Sequence, residues 1–567
     1  WRLTSREMNV TVDGYGTMKH GKFLVRNLPV LYVPYFIFPA KTTRQSGFLL
    51  PYLAQSDRHG LDIEIPFYWA ISRELDATFY QRYMSKRGLK EGIEFRYLAG
   101  EHSAGVVYGD FLQDSKRVTE TAGAISRDWQ SDRSRWSFFL NHETTFKPGF
   151  YVRADIAKVS DPWYFKDFTD RNYYLDHGDS GGEDRFQKVS FSGDQSLRSL
   201  DSTVRVVKES ARYNLTALAR YTDDFTVPDN DVTPQRYPEV SLSRAHLPLW
   251  GAPVHYGLDA AYTYFYRGRG ERGHLYDVAP AFSLPVKLGR FAVFTPQAGV
   301  RATLWDRDDQ LRDARDQHGD RESIEAGFTL NTEFSRVFSL PGKSMERIRH
   351  AVKPEIAYVY APSARQDDLP DYVVPWDARN LASYGLTQTL TARIRGKDGG
   401  VAYREILRFK VAQQFDLREA RRDLASVADP GRRPFGELLL DLDLNPVSWA
   451  DLVVRNRFDV HAGAWTQTNY DLNLRIGQGN SVTVGYRYTQ NLVEEVNLNL
   501  QALLTKRIRL DYTLKKNRLD NLNVENIVQA TYREQCWSFG LGYADTDKDR
   551  RFMLTFSLYG LGRIGNR

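Results

Sequence analysis

The residues that could do chemistry are few, and most lose that promise in their surroundings. Gly268-Arg269-Gly270-Glu271-Arg272-Gly273 matches GxGxxG, a spacing whose glycines let backbone approach a pyrophosphate at a helix start. Its flanks, Tyr262–Tyr266 and Leu275–Leu284, are both strand-like, so no helix dipole stands behind it and the segment is expected to be a flexible hairpin loop. Gly178-Asp179-Ser180-Gly181-Gly182 has the order of a serine-nucleophile segment, but it sits inside a long charged insertion. A catalytic triad needs a rigid fold to hold histidine and aspartate around the serine, so a loop is expected here too. The eleven histidines are scattered without HExxH or any other metal spacing, and one cysteine, Cys536, cannot build a thiolate cluster. Neither can it close a disulfide within the chain, which leaves a free thiol or a partner elsewhere. Catalysis, a metal and a cofactor are therefore not expected.

Composition restricts the elements that hold these residues. The 567 residues include 33 Tyr, 31 Phe, 11 Trp and 41 Gly but only 5 Met, a vocabulary of strands. Mean hydropathy is −0.51, and the most apolar stretches, Gly47–Ala54 and Leu28–Pro39, fall well short of the ~18 apolar residues of a spanning helix. A helical membrane protein is excluded. A barrel that spans lipid with strands has low hydropathy by construction, because alternate side chains face a wet lumen. The 77 basic and 71 acidic residues leave a net charge of +6, spread along the chain without a basic recognition element, which argues against nucleic acid as a partner. Because Trp1 opens directly in polar, strand-like sequence, the chain is expected to be a trimmed fragment without its targeting sequence.

The last ~130 residues alternate with period two, the mark of strands with unlike faces. Leu438, Leu440, Leu442 and Leu444 interleave with Leu439, Asp441, Asp443 and Asn445, and the same holds for Leu452–Val460, Tyr470–Ile476, Val482–Tyr488, Val496–Leu500, Ile508–Leu514, Val528–Tyr532, Trp537–Tyr543 and Phe552–Leu558. Three features place these strands in a membrane. They run about 9 to 11 residues, long enough to cross a bilayer when tilted; their polar faces carry Arg, Asp and Asn at mid-strand; and Tyr, Trp and Phe recur near their ends, as in an interfacial girdle. Short turns such as Gly477–Asn480 and Lys516–Asn521 sit among long polar insertions, Asp114–Ser131, Val159–Arg185, Asp306–Glu322 and Asp416–Pro434, as in outer-membrane barrels. At about 20 residues per strand and connection, residues 46–567 give a closed all-β antiparallel transmembrane barrel of about 26 strands. Residues 1–45 read as the end of a preceding periplasmic domain.

Particular segments then point to a family. Pro29–Pro39 (PVLYVPYFIFP) followed by Arg44–Pro51 (RQSGFLLP), then Pro66–Ile71 (PFYWAI), Asp76-Ala77-Thr78, Arg87-Gly88 with Phe95–Leu98, and Lys158–Phe165 (KVSDPWYF) resemble the LptD family, outer-membrane translocons that place lipopolysaccharide (LPS) in the outer leaflet. The likeness is dense over about the first 170 residues, diffuse in the middle, and recovers around Cys536 and Phe552–Gly562. It implies a two-lobed barrel of about 26 strands without catalytic activity, preceded by a periplasmic β-jelly-roll whose last strands are residues 1–45. It also implies a 1:1 LptE-like lipoprotein plug in the barrel, an LptA-like periplasmic bridge feeding the jelly-roll, and LPS as substrate within outer-membrane lipid.

The family's lateral gate lies between the first and last strands, which maps here onto Gly47, Phe48, Leu49, Leu50 and Pro51 with Pro66, and onto Phe552, Leu554, Phe556 and Leu558. Pro51 and Pro66 match two prolines of the family that weaken pairing, and proline donates no backbone hydrogen. The family also joins barrel cysteines near the C-terminus to cysteines before the barrel; Cys536 fits one of an adjacent pair, but Gln535 stands where the other would be. The alternatives are a TonB-dependent transporter, which would carry a globular plug of about a hundred or more residues before its first strand, a large porin with ~16 to 18 strands, and an outer-membrane hydrolase.

Overall fold

The computed structural model describes residues 2–11, 15–25, 28–39, 46–49, 51–177, 197–308, 317–341, 345–396, 399–424, 431–477, 479–535, 537–546, 549–558 and 562–564. Two β units emerge. Near the N-terminus, Tyr15–Val25 pairs with Arg2–Thr4, Glu7–Val10 and Leu28–Pro39 in a four-stranded antiparallel sheet. From Gly47 onward every long strand pairs with its sequence neighbour, and the sheet closes on itself when Asp549–Leu558 meets Tyr52–Ser56. The result is a closed antiparallel barrel of 26 strands. Three of these are interrupted: Gly47–Phe48 and Tyr52–Ser56 share the partner Gly60–Ala70, Gly273–Ser283 and Val286–Leu288 share Ala292–Arg307, and His318–Thr332 and Phe334–Ser339 share Met345–Ala361. Among the described residues no helix is long and apolar enough to cross a membrane; strands do the crossing.

Register partners point to the same face of a sheet, so each face can be followed around the barrel. Leu442 pairs with Val454, Val454 with Tyr470, Tyr470 with Tyr486 and Tyr486 with Val496. Two residues further along each strand the next row leads through Leu498 and Leu514. The row beyond leads through Tyr512, Val528 and Tyr543 to Phe552. Leu438, Leu440, Leu442 and Leu444 therefore share the face of the exposed Phe552 and Leu554. That face is the lipid-facing wall, because the opposite one is charged and cross-linked: Arg455 Nη2 lies 2.6 Å from Asp443 Oδ1 and Arg487 Nη2 lies 2.7 Å from Asp471 Oδ1. Charges in a hydrated lumen keep their solvation, whereas the same charges in hydrocarbon would not.

Connections sort by end. The turns at 71–74, 99–102, 148–149, 210–212 and 289–291 are short, and the long insertions, including 115–132, 160–198, 362–378 and 417–437, all lie at the other end. In outer-membrane barrels short turns face the periplasm and long loops the exterior, and the two ends are named accordingly.

Candidate functional site

Among the described residues, the shortest ladder between neighbouring strands of the barrel is the one that closes it. Between Tyr52–Ser56 and Asp549–Leu558 the ladder holds four residue pairs, Ser56 with Arg551, Gln55 with Phe552, Ala54 with Met553 and Leu53 with Leu554. The last strand and its other neighbour, Trp537–Thr546, hold ten. Toward the periplasm the edge of the last strand is taken by the C-terminal segment Gly562–Ile564 in place of the first strand: Phe556, Ser557 and Leu558 pair with Ile564, Arg563 and Gly562. The first strand is itself broken there. Phe48 pairs with Phe67 and Tyr52 with Glu64, so the register slips by one residue between them, and among the described residues the bond from Leu49 N to Pro66 O (2.8 Å) bridges the gap. Pro51 sits at the end of this interruption, and Pro66 lies opposite it, buried within strand Gly60–Ala70.

The extracellular half of the seam is tied by more than its ladder. Asp57 N donates to Arg550 O (3.1 Å) and Arg58 N to Asp549 Oδ1 (2.8 Å), while Arg550 Nε meets Asp57 Oδ2 at 3.0 Å.

A folded insert, residues 160–177, braces this same half from inside. Of its two short helices, Tyr164–Asp167 follows a turn in which Asp161 Oδ1 accepts from Trp163 N (3.0 Å), and Tyr173–Asp176 is capped by Asn172, whose Oδ1 accepts from Tyr174 N and Leu175 N. Tyr164, Phe165, Phe168, Tyr173 and Tyr174 bury themselves against Met84, Tyr108, Leu112 and Phe139 on the lumen side of the wall, with Tyr173 stacked on Tyr108 at 4.2 Å. Burying five aromatic side chains is worth on the order of 10 kcal/mol in transfer free energy, ample to fix the segment in the lumen. Beside it, the extracellular hairpin of Val118–Ala122 and Ile125–Trp129 packs on Trp163.

Arginine and aspartate then lock the insert to the wall. Arg135, fully buried, reaches Asp161 (2.9 Å), Asp167 (2.7 Å) and Asp114 (3.1 Å). Arg127 meets Asp167 at 2.5 Å, and Arg87 meets Asp114 at 2.5 Å and Asp167 at 3.2 Å. Burial raises the Asp167 pKa, but the Arg127 hydrogen bond and the charges of Arg87 and Arg135 outweigh it and hold the carboxyl far below the usual carboxylate range. Burial pushes His59 down; its Nε2–H donates to Asp167 O (3.0 Å) and its ring stacks on Phe168. Lys116, at the loop entrance, is pushed down to about 8 by burial and by Arg87.

At its far end the insert touches both sides of the seam. Asp170 pairs with Arg551 on the last strand and Arg171 with Glu64 on the second, while Arg82, held by Asp62 (2.6 Å), donates to Asp170 O (2.9 Å). Arg171 also lies over the ring of Tyr52 on the first strand.

Of the residues singled out in the sequence, some lie at the join of the first and last strands, whose register the sequence left open. Phe552 and Leu554 do border the first strand, meeting Gln55 and Leu53, whereas Gly47 and Phe48 pair with Tyr68 and Phe67 and the backbone of Phe556 and Leu558 pairs with the C-terminal residues. Leu49 lies in the break of the first strand; Leu50, Cys536 and the Gly178–Gly182 segment fall outside the described residues. The GxGxxG segment is a loop between Tyr266 and Gly273, with no helix after it. Gly270 needs its glycine for a φ of +115°, and Gly273 because a Cβ would lie 2.0 Å from Asp306 O. Its charged residues grip a second insert, 362–378: Arg267 pairs with Asp371, and Glu271 accepts from Asp371 N (2.7 Å). Asp170, Arg171, Arg551 and the arginine lattice were not anticipated; the run Trp163-Tyr164-Phe165, Phe168, Tyr173-Tyr174 in a supposedly polar loop was the available signal.

The profile of the family described as LptD, LPS transport system D, matches residues 133–373 and 375–518, more than half of the chain. An LPS-assembly protein LptD of Nitrosospira multiformis is 26% identical over 602 residues, covering 100% of this chain, which spans 59% of that protein. Relatives of the same description from Thiobacillus denitrificans (26% identical, 97% of this chain and 72% of the relative) and Alkalilimnicola ehrlichii (28%, 100% and 73%) agree. Among solved structures, the siderophore receptor PirA from Pseudomonas aeruginosa aligns over 95% of this chain and 85% of its own at a TM-score of 0.33 and 9% identity, too slight a likeness to bear on the argument. With a closed 26-strand barrel and this match, the chain belongs to the LptD family and is a multi-pass β-barrel of the outer membrane.

Proposed function

We propose that this chain is the barrel of an LPS translocon, a transporter and not an enzyme, which releases LPS sideways into the outer leaflet through the seam between its first and last strands. The observation that carries the reading is the asymmetry of that seam: four ladder pairs and a brace on the extracellular side, and toward the periplasm a broken first strand beside a last strand whose edge is paired with Gly562–Ile564 and not with the first strand. LPS must keep its sugars in water and its acyl chains in hydrocarbon, so a slot in the wall serves it where a closed wall cannot. An unpaired strand edge in lipid costs several kcal/mol per orphan group, which favours a short seam opened only in passing. Gly47–Pro51 and Pro66 supply the weak part of the first strand, and Leu53–Ser56 with Phe552 and Leu554 supply the part that closes. Phe556 and Leu558 belong to the same edge.

In this reading residues 1–45 are the last strands of a periplasmic jelly-roll that receives LPS from an LptA-like bridge. An LptE-like lipoprotein fills the lumen in a 1:1 complex, and Cys536 forms a disulfide with a cysteine upstream of Trp1. The test is to deplete the full-length protein from cells. LPS should then stop reaching the surface, and affinity purification of the intact protein should bring down one lipoprotein in equal amount; surface LPS unchanged after depletion would refute the reading.

A further inference from the structure

The lipid-facing side of the seam carries a groove of about 470 Å³. Two register rows build it. One runs Ala530, Leu541, Leu554, Leu53, and the other Val528, Tyr543, Phe552, Gln55, Leu61. Ala530 causes the depression: it stands between Leu510 and Leu541 in its row, and a methyl group there leaves room that a leucine would fill. The lining comes from both sides of the join, so the groove exists only while the seam is closed.

Gln55 is out of place in this lining. Its side chain is exposed on the hydrocarbon side, and among the described residues its amide has no hydrogen-bond partner. An amide that faces hydrocarbon unpaired is unfavourable. Two residues on, Asp57 pairs with Arg550 at the extracellular turn. Along the strand direction the groove is therefore graded, with an ion pair and an amide at its outer end and Leu53, Leu541 and Leu554 deeper in the membrane.

We propose that this groove holds one acyl chain of newly delivered LPS in the outer leaflet, with the Gln55 amide bonded to the polar linkage at the head of that chain. The inference rests on the translocon reading and adds to it an exit site formed on re-closure. A carboxamide both donates and accepts. An amide-linked acyl chain on an amino sugar offers both partners, whereas the ester linkage of a glycerophospholipid only accepts. LPS is therefore the better match of the two lipids available in that membrane.

The test is photo-crosslinking in cells that carry the full-length protein, with a photoreactive residue at Leu541 inside the groove and, as a control, at Val454 on the same lipid-facing wall. LPS adducts should form at position 541 in clear excess over 454. Gln55→Leu should lower them about fivefold, the worth of one neutral hydrogen bond, and Ala530→Phe, which fills the groove, should abolish them. Ala530→Val should lower them partway and keeps the test usable if the larger residue blocks assembly. Equal LPS adducts at both positions, adducts insensitive to both substitutions, or phospholipid in place of LPS at position 541 would each overturn the exit site. Surface LPS is measured in the same cells: if it arrives normally while no adduct forms at 541, the groove falls and the translocon reading stands.

Discussion

Asp170, at the end of the lumenal insert, is ion-paired with Arg551 on the last barrel strand, and its neighbour Arg171 is paired with Glu64 on the second. A single folded loop thus holds the wall on both sides of the seam. Arg551 also holds Asp549 (2.8 Å), so removing Asp170 takes away one of its two carboxylates and costs about 1.5–3 kcal/mol, the worth of a charged hydrogen bond. Asp170→Asn should therefore loosen the extracellular half of the seam and raise entry of large antibiotics into cells, and Arg551→Gln should do the same. Arg551→Gln breaks the Asp549 pair as well, and because Asp170 acts on the last strand through Arg551 the double variant should be little worse than Arg551→Gln alone; additive effects would show that the two residues act separately.

The arginine lattice should govern how the insert stays in place. Asp167 serves Arg87, Arg127 and Arg135 together; Asp167→Asn leaves them only Asp114, Glu120 and Asp161 and should destabilise the insert by about 1.5–3 kcal/mol, the worth of a charged hydrogen bond. Limited proteolysis of the purified barrel should then cut within 160–177, at sites protected in the parent protein.

The same groups set a pH dependence. Asp167 is depressed, so its contribution is full above about pH 4 and is lost as pH falls below it. His59 is depressed by burial, so below about pH 6.5 the unfolded segment takes up a proton that the folded one refuses, and stability falls again with falling pH. Lys116, pushed down to about 8, acts the same way between about 8 and 10.5, where stability rises with pH. Thermal unfolding of the detergent-solubilised barrel should shift to lower temperature in steps from pH 7 to 5 and from 5 to 3, and His59→Gln should remove the first step. A melting point that holds steady across that range would contradict the assignment.

Pro51 and Pro66 mark the break in the first strand. Replacing both with threonine, which can donate to the ladder, should add up to about 1 kcal/mol per new bond and lower the open fraction about fivefold for each. LPS delivery should slow while the heat-modifiable band of the folded barrel is unchanged. Unaltered delivery would remove these prolines from the account.

Much of the architecture is legible because period-two alternation survives in each strand separately: Leu438–Leu444 declares its lipid face without knowledge of any neighbour. The seam register is not legible in this way. Alternation fixes which face Leu53 and Leu554 take but leaves open the stagger that sets them opposite each other, and so the join lies at Leu53–Ser56 and not at Gly47–Pro51. The insert was hidden for another reason. Its charges suit a solvated loop by composition, and only the fold supplies Arg87, Arg127 and Arg135 from three separate segments to neutralise Asp167.

The central claim is that LPS leaves through this seam, and the register makes a direct test available. Ala54 and Met553 are partners across it, and facing residues of an antiparallel pair lie about 4.5–5.5 Å apart at Cα, within disulfide reach. With Ala54→Cys and Met553→Cys oxidised in the folded protein, delivery of LPS to the cell surface should stop and should resume on reduction. A matched cysteine pair at Leu442 and Val454, partners far from the seam, should leave delivery unchanged. Normal delivery through a barrel whose seam is shown to be cross-linked would contradict the account.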